Sequence, residues 1–189
     1  MALDEEFRGF KYAYEINPEW DNTATKVISL VGKGKRVLEF GCGPGHMSKV
    51  LSEKMGCDVT GIEVDMEAAS SARRYCSRVV ELDLDKEDPR QYLNGQKFDV
   101  LLFADVLEHL KDPWRLLSMA HDLLAEQGYI VASLPNVGYC GVLFELMSGR
   151  FDYRELGLLD RGHLRFFTRS GIKSMFSASG FIILDLDPL

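Results

Sequence analysis

The chain has 189 residues, of which 46% are hydrophobic and 27% charged, so it is long enough for one domain with a sizeable core. Its 22 basic and 29 acidic residues give a net charge of -7, which argues against a nucleic-acid partner because such proteins present a basic surface. The chain contains no run of about 18 apolar residues, the length that is needed to span a bilayer. The N-terminus is acidic and the four cysteines are scattered, so we expect a cytoplasmic protein with reduced thiols.

Short β-rich runs alternate with helical patterns along most of the chain. We predict strands at 36–40, 59–63, 79–82, 98–103, 129–134 and 181–186. We predict helices at 47–55, 66–75, 113–124 and 168–179, with an amphipathic helix before residue 31. This alternation predicts a doubly wound α/β fold of three layers, with a mainly parallel, Rossmann-like sheet between helices. Ligands of such sheets bind at the carboxyl ends of the strands, where the strand order reverses.

The motif Glu-Phe-Gly-Cys-Gly-Pro-Gly at 39–45 runs from the end of the first strand into a glycine-rich loop at 41–45, which leads to the next helix. Glycines there let a ligand approach the backbone, although a tight turn alone would also use them. Glu39 precedes the loop, and His46 breaks the Gly-x-Gly-x-x-Gly spacing that a pyrophosphate requires. The loop therefore suits a cationic ligand segment, such as the amino group of a methionine moiety, better than it suits phosphates.

Acids also follow the second and third strands. Glu63 ends the second strand about 20 residues after Gly41, where a carboxylate can accept hydrogen bonds from two ribose hydroxyls. Asp83 ends the third strand and could accept a hydrogen bond from the exocyclic amine of adenine. Each acid alone reads as a solvated loop residue. Together with Glu39 they predict a nucleoside site without phosphate.

From about residue 31 onward the chain resembles the class I S-adenosylmethionine-dependent methyltransferases. The resemblance lies in the motifs at 37–45, 61–65, 83–84 and 98–110. It implies S-adenosyl-L-methionine as cofactor and S-adenosyl-L-homocysteine as product. The implied cofactor contacts are Glu39, Gly41, Gly43 and Gly45 for the methionine part, Cys42 in the same loop, Glu63 for the ribose, Val64, Met66, Asp83 and Leu84 for the adenine, and Ala104 beneath the sulfonium.

Under this resemblance, residues 1–31 form an N-terminal helical cap and residues 32–189 form the S-adenosylmethionine-binding methyltransferase domain. A segment at 136–167 interrupts the alternation, and a connection this long is usually a lid or a substrate-binding loop. Its arginines could recognise an anionic group or simply be solvated; they are Arg150, Arg154, Arg161 and Arg165. The family sheet has seven strands. We therefore expect its last antiparallel strand to be missing here and the chain to be one domain of a longer protein.

Two histidines are the candidate catalytic bases. Asp105, Glu108 and His109 follow the fourth strand at a spacing that suits one helical face, and His163 comes from the 136–167 segment. An imidazole is suited to removing a proton from an acceptor hydroxyl at neutral pH. The resemblance here is greatest to small-molecule O-methyltransferases, including those of the ubiquinone pathway. It implies O-methylation of a saccharide or a quinone-type phenol, although Glu108 and His109 could instead simply pack at the sheet edge.

The side chains of Asp105, Glu108, His109 and His163 also suit a divalent metal ion, although no metal ligand is assigned from the sequence. Two carboxylates and two imidazoles are ligands that such ions accept, and a similar pattern occurs in small-RNA 2′-O-methyltransferases that use one. The alternatives are such an RNA enzyme, a non-catalytic S-adenosylmethionine-binding module, and an NAD(P)-dependent reductase. The expected partner is a small-molecule methyl acceptor, and the sequence predicts no oligomeric state.

Overall fold

The fold was obtained as a computed structural model, which describes residues 7–13, 16–17 and 20–187. The strands are β1 (Arg36–Phe40), β2 (Asp58–Glu63), β3 (Arg78–Glu81), β4 (Phe98–Ala104) and β5 (Leu124–Ser133). The helices are α1 (Thr23–Val31), α2 (His46–Glu53), α3 (Met66–Ala72), α4 (Pro113–Ala120), α5 (Cys140–Met147) and α6 (Arg169–Ala178). Residues 1–6, 14–15 and 18–19 of the predicted N-terminal cap lie outside the described residues. No helix in the described part of the chain is long and apolar enough to cross a membrane.

The five strands form one parallel sheet in the order β3-β2-β1-β4-β5. The predicted Rossmann-like, doubly wound fold is therefore confirmed. The strand order reverses between β1 and β4, which is where sheets of this kind bind their ligands. The described residues contribute no antiparallel strand to this sheet.

The chain divides into two compact units. The first comprises residues up to 104 together with 120–133, and it holds the whole sheet with α1, α2 and α3. The second comprises 105–119 and 134–188, and it holds α5, α6 and most of α4. The apolar face of α1 packs into the core of the first unit, so this helix is an integral part of that unit.

The central strands of the first unit are buried on both faces. Neighbouring residues of β1, Val37 and Leu38, point to opposite sides of the sheet and are both fully buried. Phe40 and Phe103 stack across β1 and β4 with ring centroids 4.3 Å apart. This explains why these strands read as continuous apolar runs, since an exposed face would require polar residues at every second position.

The strand β5 begins five residues earlier than predicted, and α4 ends four residues earlier. Residues 121–124 have helical propensity, but Phe98 donates a backbone hydrogen bond to Leu123 at 2.9 Å, and Leu124 pairs with Phe98. The register then shifts before Val100 pairs with Tyr129. The predicted end of α4 and start of β5 were wrong because pairing with β4 outweighs the weak local preference for helix.

The predicted sixth strand at 181–186 does not form within the described residues. The alternating pattern is present, but a strand also needs a neighbour to complete its backbone hydrogen bonds. Phe181 donates its amide back to Phe176 at the end of α6, and Ile182 and Leu184 are 87% and 89% exposed. By contrast, α6 begins where predicted, because Thr168 accepts a hydrogen bond from the amide of Gly171.

Candidate functional site

The glycine loop between β1 and α2 turns sharply in the left-handed region of backbone space. Gly41, Gly43 and Gly45 have φ values of 62°, 54° and 91°. A Cβ atom on Gly45 would lie only 2.8 Å from the Cα atom of Ala72. The turn therefore depends on glycine for both conformation and space, and it leaves the loop backbone without side chains that would keep a ligand away.

Glu63 joins the end of β2 to this loop through its carboxylate. One carboxylate oxygen accepts from the amide of Gly43 at 2.8 Å, and the other accepts from the amides of Val64 and Asp65 at 2.8 and 2.9 Å. Three hydrogen bonds fix the orientation of the carboxylate at the carboxyl edge of the sheet. Val64 and Met66, predicted to flank an adenine ring, are 63% and 71% exposed beside it.

Glu39 lies below the loop and is almost completely buried. Its carboxyl group accepts a hydrogen bond from the hydroxyl of Ser48. Burial raises the pKa of Glu39 from its ordinary 4.5 to about 8; the neighbouring Cys76 adds to the rise, and the Ser48 bond opposes it. Sequence reasoning missed Ser48, although its place in the first turn of α2, directly after the loop, was a usable signal.

The remaining predicted cofactor residues lie beyond the ends of β3 and β4. The strand β3 ends at Glu81, so Asp83 lies two residues past it. One oxygen of Asp83 accepts from the amide of Asp85 at 3.0 Å, and the other lies 2.7 Å from the ammonium of Lys86. Ala104 is the last residue of β4. All predicted cofactor residues therefore belong to the first unit and lie in or shortly after four adjacent strands, but their contacts with a cofactor stay a prediction.

In the second unit, the carboxylate of Glu108 and the imidazoles of His109 and His163 come together. One potential ligand atom from each residue lies within 4.8 Å of the other two. The Nε2 atom of His163 is 4.0 Å from Oε1 of Glu108, and the two rings meet edge to face with centroids 4.9 Å apart. The structure thus brings together two predicted bases that are separated by more than 50 positions along the chain.

The backbone around Glu108 is a 3-10 turn, Leu107–His109, and not the α-helical face that the spacing predicted. It follows Asp105, a non-glycine residue with a φ of 52°. The carbonyl of Glu108 accepts from the amides of Leu164 and Arg165 at 2.8 and 3.0 Å. These two hydrogen bonds hold the loop that carries His163 against the turn that carries His109.

Each imidazole is oriented by a main-chain carbonyl. The Nδ1 atom of His109 lies 3.0 Å from the carbonyl oxygen of Gly162, and Nδ1 of His163 lies 3.2 Å from that of Leu158. A carbonyl oxygen only accepts hydrogen bonds, so each Nδ1 carries the proton. In the neutral rings each Nε2 therefore presents a lone pair, able to accept a proton or to bind a metal ion.

Burial favours the neutral forms of Glu108 and His109. Burial, aided by the charge of Asp105, raises the pKa of Glu108 from 4.5 to about 8. Neither carboxylate oxygen of Glu108 has a hydrogen-bond partner among the described residues. Burial also lowers the pKa of His109, which the hydrogen bond to Gly162 opposes. A neutral His109 at physiological pH is the form that a general base requires.

The arginines of the 136–167 segment are largely engaged within the second unit. Arg154 forms an ion pair with Glu145, and Arg161 forms one with Glu155 at 2.6 Å. The guanidinium of Arg165 donates to a main-chain carbonyl. Recognition of an anionic group by these arginines stays a prediction.

Comparison with known proteins agrees with this arrangement. A family described as a methyltransferase domain matches residues 14–186. The chain is 30% identical to a ubiquinone biosynthesis O-methyltransferase of Psychrobacter arcticus, over 94% of this chain and 76% of that protein. It is 26% identical to a protein of the same name from Aeromonas salmonicida, over 94% and 75% of the two chains.

Solved structures share the fold at lower identity. A methyltransferase of Thermotoga maritima, described as a possible histamine N-methyltransferase, has a TM-score of 0.62 at 19% identity and covers 85% of this chain and 70% of its own. The magnesium protoporphyrin IX methyltransferase of Synechocystis, solved with bound S-adenosylhomocysteine, has a TM-score of 0.61 at 18% identity and covers 84% and 71%. At these identities the likeness concerns the fold alone.

Proposed function

This chain belongs to the methyltransferase-domain family of class I S-adenosylmethionine-dependent enzymes, and we propose that it methylates a hydroxyl oxygen of a small molecule, preferably a quinone-type phenol. Membership in this family sets aside the NAD(P)-dependent reductase and makes S-adenosylmethionine the methyl donor. The observation that carries the proposal is the pair of imidazoles whose Nδ1 atoms lie 3.0 and 3.2 Å from main-chain carbonyls, beside the buried Glu108 carboxyl group. In the neutral rings this geometry puts the proton on Nδ1. Action in the cytoplasm stays a prediction.

The cofactor half of the proposal rests on the first unit. The glycine loop gives the methionine part close access to the backbone, and Glu63 offers a carboxylate already oriented by three amides for the ribose hydroxyls. Val64 and Met66 provide exposed apolar surface for the two sides of the adenine ring. Asp83, the amide of Leu84 and Ala104 complete the proposed contacts at the adenine edge and beneath the sulfonium.

The proposed reaction needs one proton removed. As the acceptor oxygen attacks the sulfonium methyl carbon, the carbon–sulfur bond breaks, its electrons stay on sulfur, and S-adenosylhomocysteine leaves as a neutral thioether. The hydroxyl proton passes to Nε2 of His109 or His163. Placing the acceptor in line with the methyl group supplies most of the rate enhancement in such a transfer, and the base adds to it.

A phenol suits these bases better than a saccharide does. The pKa of a phenol is about 10 and that of imidazole about 6.5. An unactivated hydroxyl resembles water, with a pKa of about 15.7. Proton transfer to imidazole is therefore far less unfavourable from a phenol. The two relatives named for ubiquinone biosynthesis support the same choice.

A divalent metal ion is the alternative use of the same Nε2 atoms, because a lone pair that binds an ion cannot also accept the proton of the acceptor hydroxyl. The residues present fit such an ion. Glu108, His109 and His163 would hold it, because their ligand atoms converge and the Glu108 oxygens have no other partner among the described residues. Histidine ligands usually donate their second nitrogen to a carbonyl, as both do here. A bound ion would polarise the acceptor oxygen as a Lewis acid. The cluster resembles the pattern of the small-RNA 2′-O-methyltransferases, but the net charge of -7 argues against RNA as the acceptor.

The test uses the purified chain with S-adenosylmethionine and either 3,4-dihydroxybenzoate or methyl glucoside as acceptor, with and without Mg²⁺. We expect methylation of a phenolic oxygen, identified by mass spectrometry. His109→Ala and His163→Ala should lower kcat by about 100-fold or more, while S-adenosylhomocysteine binding, measured by calorimetry, stays unchanged. The exposed His121→Ala is the matched control.

Three outcomes would contradict parts of this proposal. If both histidine variants keep full activity, the cluster is not catalytic. If Glu63→Ala binds S-adenosylhomocysteine as the unchanged chain does, the cofactor assignment is wrong. Calorimetry with Mg²⁺ and Mn²⁺ should give binding that is lost in His163→Ala, and equal binding by the variant would overturn the metal site.

A further inference from the structure

The loop that carries His163 contains a buried acid, Asp160, which is only 1% exposed. Its carboxylate oxygen Oδ1 accepts from the amide of Gly162 at 2.6 Å. Its main-chain carbonyl accepts from the amide of His163 at 3.0 Å, and its own amide donates to Gly157 at 3.1 Å. Side chain and backbone of Asp160 together define the tight turn that leads into His163.

These hydrogen bonds control the orientation of His109. The peptide between Gly162 and His163 is planar and trans, so its N–H and C=O groups point in opposite directions. Because the N–H group donates to the main-chain carbonyl of Asp160, the C=O group faces away from it, and this carbonyl accepts the Nδ1 proton of His109. The side chain of Asp160 holds the preceding peptide, whose N–H group at Gly162 it accepts, and so holds the turn that contains this carbonyl. The turn around Asp160 therefore determines where the partner of His109 lies.

The same turn also orients His163. Its Nδ1 proton is donated to the carbonyl of Leu158, which precedes Asp160 by two residues, so donor and acceptor stand on opposite sides of the turn. A change in the turn would move this carbonyl relative to the ring. Both imidazoles thus take their orientation from carbonyl groups within five residues of one another in the 158–162 segment.

We propose that Asp160 is a positioning residue of this enzyme: through the turn at 157–163 it fixes the orientation and tautomer of both His109 and His163. The expected effect on kcat rests on the proposed function. The effect of Asp160 on the orientation of the two imidazoles does not depend on which acceptor is methylated. In the sequence, Asp160 resembles an ordinary solvated loop acid beside an arginine and a glycine. Only its burial and its bond to Gly162 distinguish it.

The experiment compares Asp160→Ala, which removes the acceptor, with Asp160→Asn, which keeps an oxygen able to accept the Gly162 amide. Asp152→Ala, an exposed acid in the same segment, is the matched control. We expect Asp160→Ala to lower kcat by about 10- to 100-fold, as loss of such supporting partners usually does. The KM for S-adenosylmethionine should stay unchanged, and Asp160→Asn should restore most of kcat.

Imidazole ¹⁵N spectra give a readout that does not need activity. In the unchanged chain, both histidines should carry their proton on Nδ1, and Asp160→Ala should lose this uniform tautomer while Asp160→Asn retains it. Uniform Nδ1 protonation that persists in Asp160→Ala would overturn the proposal. If the unchanged chain methylates no oxygen but shows these tautomers, the proposed function fails and the positioning role stands.

If Asp160→Ala does not fold, amide hydrogen exchange of the unchanged chain tests the role of Asp160 instead. The amide of Gly162 should be protected, because it donates to the side chain of Asp160. Rapid exchange of this amide, or an Nε2-protonated tautomer of either histidine, would refute the role.

Discussion

Glu39 should make this protein less stable as the pH rises, and Glu39→Gln should remove that effect. The carboxyl group of Glu39 is 3% exposed and its pKa is raised to about 8, mainly by burial. A folded-state pKa above the unfolded value means that the folded protein holds the proton more tightly. The contribution of Glu39 to stability is therefore complete below pH 4.5, falls as the pH rises, and is lost by about pH 8.

The size of the effect follows from the two pKa values. The difference between about 8 and 4.5 corresponds to roughly 5 kcal/mol at about 1.36 kcal/mol per pKa unit. Roughly 3 to 4 kcal/mol of this falls between pH 5 and pH 8. Glutamine has nearly the shape of the protonated acid and does not ionise, so Glu39→Gln should lose that much less stability over the same interval. With an m-value of about 2 kcal/mol/M, the difference is roughly 1.5 M in urea midpoint.

The assay is urea unfolding at pH 5 and pH 8, followed by circular dichroism and tryptophan fluorescence. Glu108, whose pKa is also raised to about 8, contributes in the same direction to both proteins, so the comparison isolates Glu39. Glu53→Gln, at an exposed position in α2, controls for the change in net charge. If Glu39→Gln and the unchanged chain shift in parallel between the two pH values, Glu39 is not protonated in the folded state and the reasoning fails.

Two further predictions concern packing. Gly61→Ala should destabilise the chain by about 1 to 3 kcal/mol, because overpacking a tight core has that cost. The added Cβ would lie 2.6 Å from Sγ of Cys42 and 3.3 Å from that of Cys76. An unchanged melting temperature would contradict the tight fit. The double variant Ile182→Lys and Leu184→Lys should change unfolding free energy by less than about 0.5 kcal/mol, because both side chains are exposed. A loss above about 2 kcal/mol in urea unfolding would mean that they are buried in a strand after all.

The fold was largely predictable because its main elements have local causes. The continuous apolar run of β4 and the glycine turn after β1 can both be read from neighbouring residues. The errors occurred where the partner is distant. The start of β5 depends on Phe98, and the 181–186 segment has strand-like residues without a neighbouring strand among the described residues.

The candidate site divides in the same way. The acids Glu39, Glu63 and Asp83 were predicted from the sequence, because they lie in or just beyond the last residues of three strands and parallel strands end at one edge of the sheet. Their surroundings were not predictable. The burial of Glu39 against Ser48 and the three amides that hold Glu63 depend on how the loop packs.

The cluster in the second unit shows the limit most clearly. The sequence by itself predicted His109 and His163 as candidate bases, because imidazole is the side chain whose pKa suits proton transfer at neutral pH. Only the tertiary structure decided that the two rings meet beside Glu108, that each Nδ1 is bound to a carbonyl, and that Asp160 supports this arrangement. Residue type and periodicity are local properties of the chain. The contact between the two rings and the carbonyl partner of His109 depend on segments more than 50 residues apart, and no local pattern records which segments will meet.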